Sequence, residues 1–277
     1  MDQKMKVCVT GASGFLASWL VKRLLLSGYH VIGTVRDPEA GTSVGLEGAR
    51  ERLTLVRADL IEEGSFDRAI MGCHSVFHTA SPAEILVPAV EGTLNVLRSC
   101  KKNPSLRRVV LTSSTSAVRA RDDFDPKIPL DESSWSSVEF CERLQVTSLS
   151  SEKFCEENGI DLVTVLPSCV VGPSLPPDLC FTASDTLALL KGETEKCRWF
   201  GRMEYVHIDD HEDAHGRYPC SSAELDDNEL TSLPLARYPS LPITKRSDAL
   251  DIPYVEFNTS KLKSLGFKFK FIQDMFD

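Results

Sequence analysis

Val7-Cys8-Val9-Thr10-Gly11-Ala12-Ser13-Gly14-Phe15-Leu16-Ala17 decides the fold. An apolar, β-branched run ends at Thr10, two glycines follow, and apolar residues at helical spacing start from Phe15. This reads as a buried strand, a tight turn and an amphipathic helix. Gly11 permits the turn, Gly14 lets backbone approach a pyrophosphate, and the small Ala17 allows close helix–strand packing. The helix opens with free N–H groups and the positive end of its dipole, which together suit phosphate oxygens. Gly11, Ser13, Gly14, Phe15 and Leu16 are therefore the expected cradle of a dinucleotide.

Working outward, Val31–Val35, Leu53–Arg57, Ser75–Thr79, Arg108–Thr112 and Leu162–Leu166 read as further strands, each bounded by Gly, Asp, Ser or Pro. Phe15–Ser27, Ser65–Ile70 and Glu84–Lys102 carry helical spacing between them. Strands that alternate with helices predict an α/β fold, a Rossmann-type doubly wound parallel sheet. After Gly172-Pro173 the elements shorten to Thr182–Lys191, Tyr205–Ile208, Arg217–Ser221 and Asn228–Arg237. Residues 1–172 are the expected nucleotide-binding domain, and 173–277 a smaller substrate lobe partly interleaved with the sheet.

The second strand ends Thr34-Val35-Arg36-Asp37. An acidic residue directly at that end would bond an NAD ribose, whereas Arg36 favours a 2′-phosphate and hence NADP(H). Asp37 alongside keeps NAD open. Asp59 and Leu60, after the third strand, are placed to meet an adenine edge, although Asp59 serves equally as a cap for the segment that follows. Thr79, Ala80 and Ser81, after the fourth, let a cofactor pass. Thr112, Ser113 and Ser114 end the fifth and turn hydroxyls toward the same crevice.

The net charge of −9 argues against a nucleic-acid partner, which needs a basic face. The nine cysteines show no CxxC pair and no metal-like spacing with the six histidines, and read as small buried hydrophobes in a reducing compartment. His207-Ile208-Asp209-Asp210-His211 with Glu212, Asp213 and His215 looks metal-like but reads better as a turn with solvated acids. Ser114 has no nucleophile elbow around it, so a hydrolase triad with His207 is set aside. No secretory signal is visible, and no apolar run reaches the roughly 20 residues of a membrane span. The expectation is a cytoplasmic protein that acts on a small molecule.

The chain resembles the extended short-chain dehydrogenase/reductases of the plant dihydroflavonol reductase and cinnamoyl-CoA reductase group. The residues that carry the likeness are Val7 to Leu20, Gly72-Cys73 with Val76-Phe77-His78-Thr79-Ala80-Ser81-Pro82, and Gly92-Thr93-Leu94-Asn95-Val96-Leu97. Further on come Asp131-Glu132-Ser133, Asn158-Gly159-Ile160-Asp161 and Leu166-Pro167-Ser168 leading to Val171-Gly172-Pro173. The resemblance implies hydride transfer from NADPH to the carbonyl of a plant polyketide or phenylpropanoid-type compound. It maps the family's catalytic Ser to Ser114, lines the cofactor side with Thr112 and Ser113, and sets Pro167 and Val170 beside the nicotinamide. Arg119 and Ala120 would edge the substrate pocket.

One departure is large. The family's Tyr-x-x-x-Lys is absent, because none of the five tyrosines (Tyr29, Tyr205, Tyr218, Tyr238, Tyr254) has Lys four residues on. Where the motif belongs the chain reads Gln145-Val146-Thr147-Ser148-Leu149-Ser150-Ser151-Glu152-Lys153-Phe154. Lys153 matches the end of the family's helix rather than its catalytic Lys. The helix itself, Ser151–Asn158, spans roughly 12 Å and is short for a crossover. Val206–Ile208 and Arg217-Tyr218 lie too close together for a parallel crossover. Against the family, residues are also missing near Glu39–Gly45, after Pro82 and beyond Asp277. Either the sequence omits segments near the cleft, or the chain is a shortened variant that binds NADP without turnover.

Overall fold

The computed structural model describes residues 5–40, 45–81, 87–119, 125, 128–137, 150–176, 184, 188, 203–208, 217–237 and 256–269. Expectations that fall on the remaining residues, among them Thr182–Lys191 (apart from 184 and 188), Ala120, Gln145–Leu149 and Asp209–His215, lie outside it. Seven strands form one parallel sheet: β1 (Lys6–Thr10), β2 (His30–Val35), β3 (Leu53–Arg57), β4 (Ser75–His78), β5 (Arg108–Thr112), β6 (Leu162–Pro167) and β9 (Arg217–Cys220). Their order is β3-β2-β1-β4-β5-β6-β9. The direction of winding reverses between β1 and β4, which is where this class of sheet opens a ligand crevice at the strands' carboxyl ends.

Two apolar layers explain why these strands read as nearly continuous hydrophobic runs. On one face α3 (Asp67–Ile70), α4 (Val87–Lys101) and α6 (Ser150–Glu157) cover Cys8, Ile32, Val76 and Val109. On the other, α1 (Phe15–Leu26) and α2 (Ala49–Arg52) cover Val7, Val9, Val31 and Val35. A strand buried on both faces has no polar alternation to show.

A second sheet lies beyond β6: β7 (Cys169–Val171), β8 (Met203–His207) and β10 (Ala223–Leu225) in the order β10-β8-β7. The helix α7 (Asp227–Arg237) packs Leu230 onto Val171 and Tyr205. This arrangement resolves the crossover that the sequence left without room. Tyr205–His207 and Arg217–Cys220 belong to different sheets, β8 pairing with β7 and β9 pairing with β6. The β6-to-β9 crossover therefore has the whole of 168–216 to use. Two short helices complete the described chain, α5 (Ser116–Arg119) and α8 (Ser260–Ser264). No described helix is long and apolar enough to cross a membrane.

Candidate functional site

The carboxyl ends of six neighbouring strands bring together most of the residues singled out by sequence. From one side to the other they are Asp59 and Leu60 after β3, Arg36 after β2, Gly11 to Leu16 after β1, Thr79 to Ser81 after β4, Thr112 to Ser114 at β5, and Pro167 ending β6. At about 4.8 Å per strand this row is roughly 24 Å long, the reach of an extended dinucleotide and a substrate beside it.

The centre of the row is a backbone cradle. Gly11 has φ +67°, and a Cβ there would sit 3.1 Å from both Cα and Cβ of Ala80, so the turn after β1 and the turn after β4 touch with no room for a side chain. Ala12 N–H donates to Thr34 O at 2.9 Å and Gly11 N–H to Thr34 Oγ1 at 3.3 Å, which ties the loop down to β2. Close approach continues beneath it, where a Cβ on Gly33 would lie 2.8 Å from the Ala12 Cβ. Gly14 is the N-cap of α1 and offers no side chain to its first N–H groups, while Ser13 and Gly14 are exposed. Uncapped amides, a dipole end and an open approach are what a pyrophosphate requires. These residues fit a nicotinamide dinucleotide.

Beside the cradle, Thr10 and His78 are both buried. The Thr10 hydroxyl accepts the N–H groups of Thr79 and Ala80, each at 3.1 Å, and lies 2.8 Å from His78 Nδ1. His78 Nε2 lies 3.3 Å from Thr93 Oγ1 on α4. Burial holds the imidazole down at about 4, so it is neutral at physiological pH.

The outer positions are more varied. Arg36 is exposed, and the neighbouring Asp37 accepts the Glu39 N–H at 2.9 Å, turning its carboxylate back on its own loop. Asp59 accepts the Ile61 N–H at 3.0 Å, the capping role that its sequence allowed, and the Leu60 carbonyl accepts from Asn95 at 2.9 Å. Ser114 is exposed and its Oγ accepts the Ser116 N–H at 3.2 Å, at the start of α5, whose last residue is Arg119. Ser113 and Thr115 donate backbone N–H groups to Val165 O and Pro167 O, which locks the two strand ends side by side. Val170 is half-buried three residues past Pro167. It lies on β7 and packs with Val206, Tyr218, Cys220 and Leu262. Lys153 points outward, 80% exposed, with Glu157 4.0 Å away.

In the sequence Thr10 and Thr34 mark only strand ends, and His78, the last residue of β4, only part of the family likeness. A threonine closing a strand carries no local mark of a partner 68 residues away. Five of the six described free cysteines are buried and Cys169 is half-buried; burial raises Cys73 to about 11 and Cys100 to about 12, so these are inert thiols. Among the described residues no group of three or more His, Cys, Asp or Glu could hold a metal.

Comparison with known proteins agrees with this geometry. Tetraketide alpha-pyrone reductase 1 of Arabidopsis thaliana is 65% identical over 309 aligned positions, covering 100% of this chain and 95% of that protein. At least 32 of those positions have no residue in this 277-residue chain, in keeping with the shortfalls read from the sequence. Plant dihydroflavonol and cinnamoyl-CoA reductases also match at lower identity. Vestitone reductase from alfalfa superposes with a TM-score of 0.83 at 35% identity, covering 99% of this chain and 96% of that one. The yeast methylglyoxal/isovaleraldehyde reductase Gre2, solved with NADPH, gives 0.82 at 25% identity over 99% and 96%. A family model described as NAD dependent epimerase/dehydratase matches residues 7–218. The chain belongs to the NAD dependent epimerase/dehydratase family, among its plant reductases.

Proposed function

We propose that this chain is an NADPH-dependent carbonyl reductase whose substrate is a tetraketide α-pyrone, the class named in its 65%-identical relative. The observation that carries the reading is the row of strand ends, with a glycine cradle at its centre and an exposed serine hydroxyl at its far side. In this reading Gly11, Ser13, Gly14, Phe15 and Leu16 hold the pyrophosphate, and Arg36 takes the 2′-phosphate. Asp59 and Leu60 border the adenine, while Thr79, Ala80, Ser81, Thr112 and Ser113 line the path to the nicotinamide beside Pro167 and Val170. The engagement of Asp37 with its own loop favours NADP over NAD. Residues 173–277 supply the substrate lobe, and Arg119 edges its pocket. The enzyme works in the cytoplasm.

Bound NADPH supplies the hydride. Ser114 donates a hydrogen bond to the substrate carbonyl oxygen and orients it. With no tyrosine followed by Lys four residues on, the chain lacks the family's internal proton relay, and the proton comes from water at the exposed Ser114. A positioned general acid contributes about 10²–10⁴-fold, so turnover is expected to be slower than in relay-bearing relatives by that order. The missing motif equally favours a second reading, a protein that binds NADP without turning over.

NADPH oxidation, followed with a tetraketide pyrone, cinnamoyl-CoA, a dihydroflavonol and an aromatic aldehyde, separates these readings. Pyrone-dependent oxidation above the other three supports the proposal. Preference for another member replaces the substrate, and binding without oxidation of any supports the silent protein.

A further inference from the structure

We infer that Thr10 and His78 are a buried pair of positioning residues that set the turn at Thr79–Ala80 as one wall of the cofactor cradle. The inference rests on the nucleotide reading above. Thr10 Oγ1 accepts from both the Thr79 and Ala80 N–H groups at 3.1 Å, which uses its acceptor capacity. Its own proton is then left for His78 Nδ1 at 2.8 Å, so that nitrogen is the unprotonated one. Nε2 carries the ring proton and donates to Thr93 Oγ1 at 3.3 Å on α4. The Thr79 hydroxyl closes the node by donating to the Thr10 carbonyl at 2.6 Å.

Every donor and acceptor has one orientation, and the chain of bonds runs from α4 through β4 to the last residue of β1. The two amides it fixes belong to the turn whose Ala80 stands against Gly11 with no space for a Cβ. A shift of that turn would either close the cradle or open a gap behind it. Its hydroxyl and imidazole are buried, at 0% and 1% exposure, so they act on cofactor only through the backbone they hold.

The test is calorimetric titration of the full chain with NADPH beside thermal melting. Thr10→Val keeps the shape but strands both amides, and His78→Leu removes the acceptor that orients the hydroxyl. Each is expected to raise the NADPH Kd tenfold or more. Thr10→Ser restores the hydroxyl and should stay within about twofold. His78→Asn presents an oxygen where Nδ1 stood and should fall between. Asn103→Ala supplies the structural control. Asn103 is buried at the opposite edge and bonds the Ile70 and Cys73 carbonyls, so its loss should lower the melting temperature and leave Kd unchanged. Folded Thr10→Val or His78→Leu with wild-type Kd overturns the pair, as does a rise in Kd that Asn103→Ala matches. If one variant does not fold, the other decides; if neither folds, the protection of the Thr79 and Ala80 amides from hydrogen exchange in the wild type decides, fast exchange overturning the pair. A folded wild type that binds no NADPH removes the nucleotide reading itself, and this inference with it.

Discussion

The buried imidazole of His78 contributes to the pH dependence of this protein's stability. His78 holds at about 4 in the folded chain because burial penalises its charged form, against 6.5 for a histidine in water. As pH falls the unfolded chain takes the proton first, so the stabilising contribution is complete above roughly 6.5 and is lost progressively toward 4. The full loss is of the order of 3 kcal/mol. Urea midpoints should therefore fall between pH 7 and pH 5, and the slope should flatten in His78→Asn. Equal slopes in the two proteins would show that other groups dominate.

At the level of elements, the middle of the sheet has unequal faces. Val109 is fully buried against α4, whereas its neighbour Val110 is half-buried and faces the other way. Phe77, Val110 and Val165 border a groove of about 530 Å³ between Leu20 and Leu24 of α1 and Leu262 of α8. Central strands of a parallel sheet are ordinarily covered on both sides. Val110→Phe should accordingly stabilise by about 0.5–1 kcal/mol, where Val109→Phe costs about 1–3 kcal/mol by overpacking. Equal losses at both positions in denaturant titrations would mean that the groove is not open space.

The same contrast explains what could be read in advance. The six strands of the nucleotide domain were legible to within a residue or two because each is an apolar run ended by a residue that cannot continue it. The strands β7 and β10, three residues each, have no period to detect, and their sheet became visible only in three dimensions. The residues proposed for the site were legible as positions behind strand ends, Arg36 and Thr79 directly after β2 and β4 and Ser114 two residues past β5. Val170 follows β6 closely too, at the start of the second sheet, where it is half-buried against Val206 and Tyr218.

Taken as a whole, the molecule has the parallel nucleotide-binding type of sheet, and its sequence lacks the Tyr-x-x-x-Lys of the family's proton relay. Binding and turnover are thus separable properties of this chain, and the first is the foundation for the second. The most direct measurement is calorimetric titration of folded protein with NADPH and, separately, NADH. Saturable binding at the Gly11–Gly14 turn is expected, tighter for NADPH by about tenfold through Arg36, a difference of about 1.4 kcal/mol. Binding should disappear in Gly11→Val, whose side chain meets Ala80 where φ is +67°. No heat of association with either nucleotide would contradict the nucleotide reading.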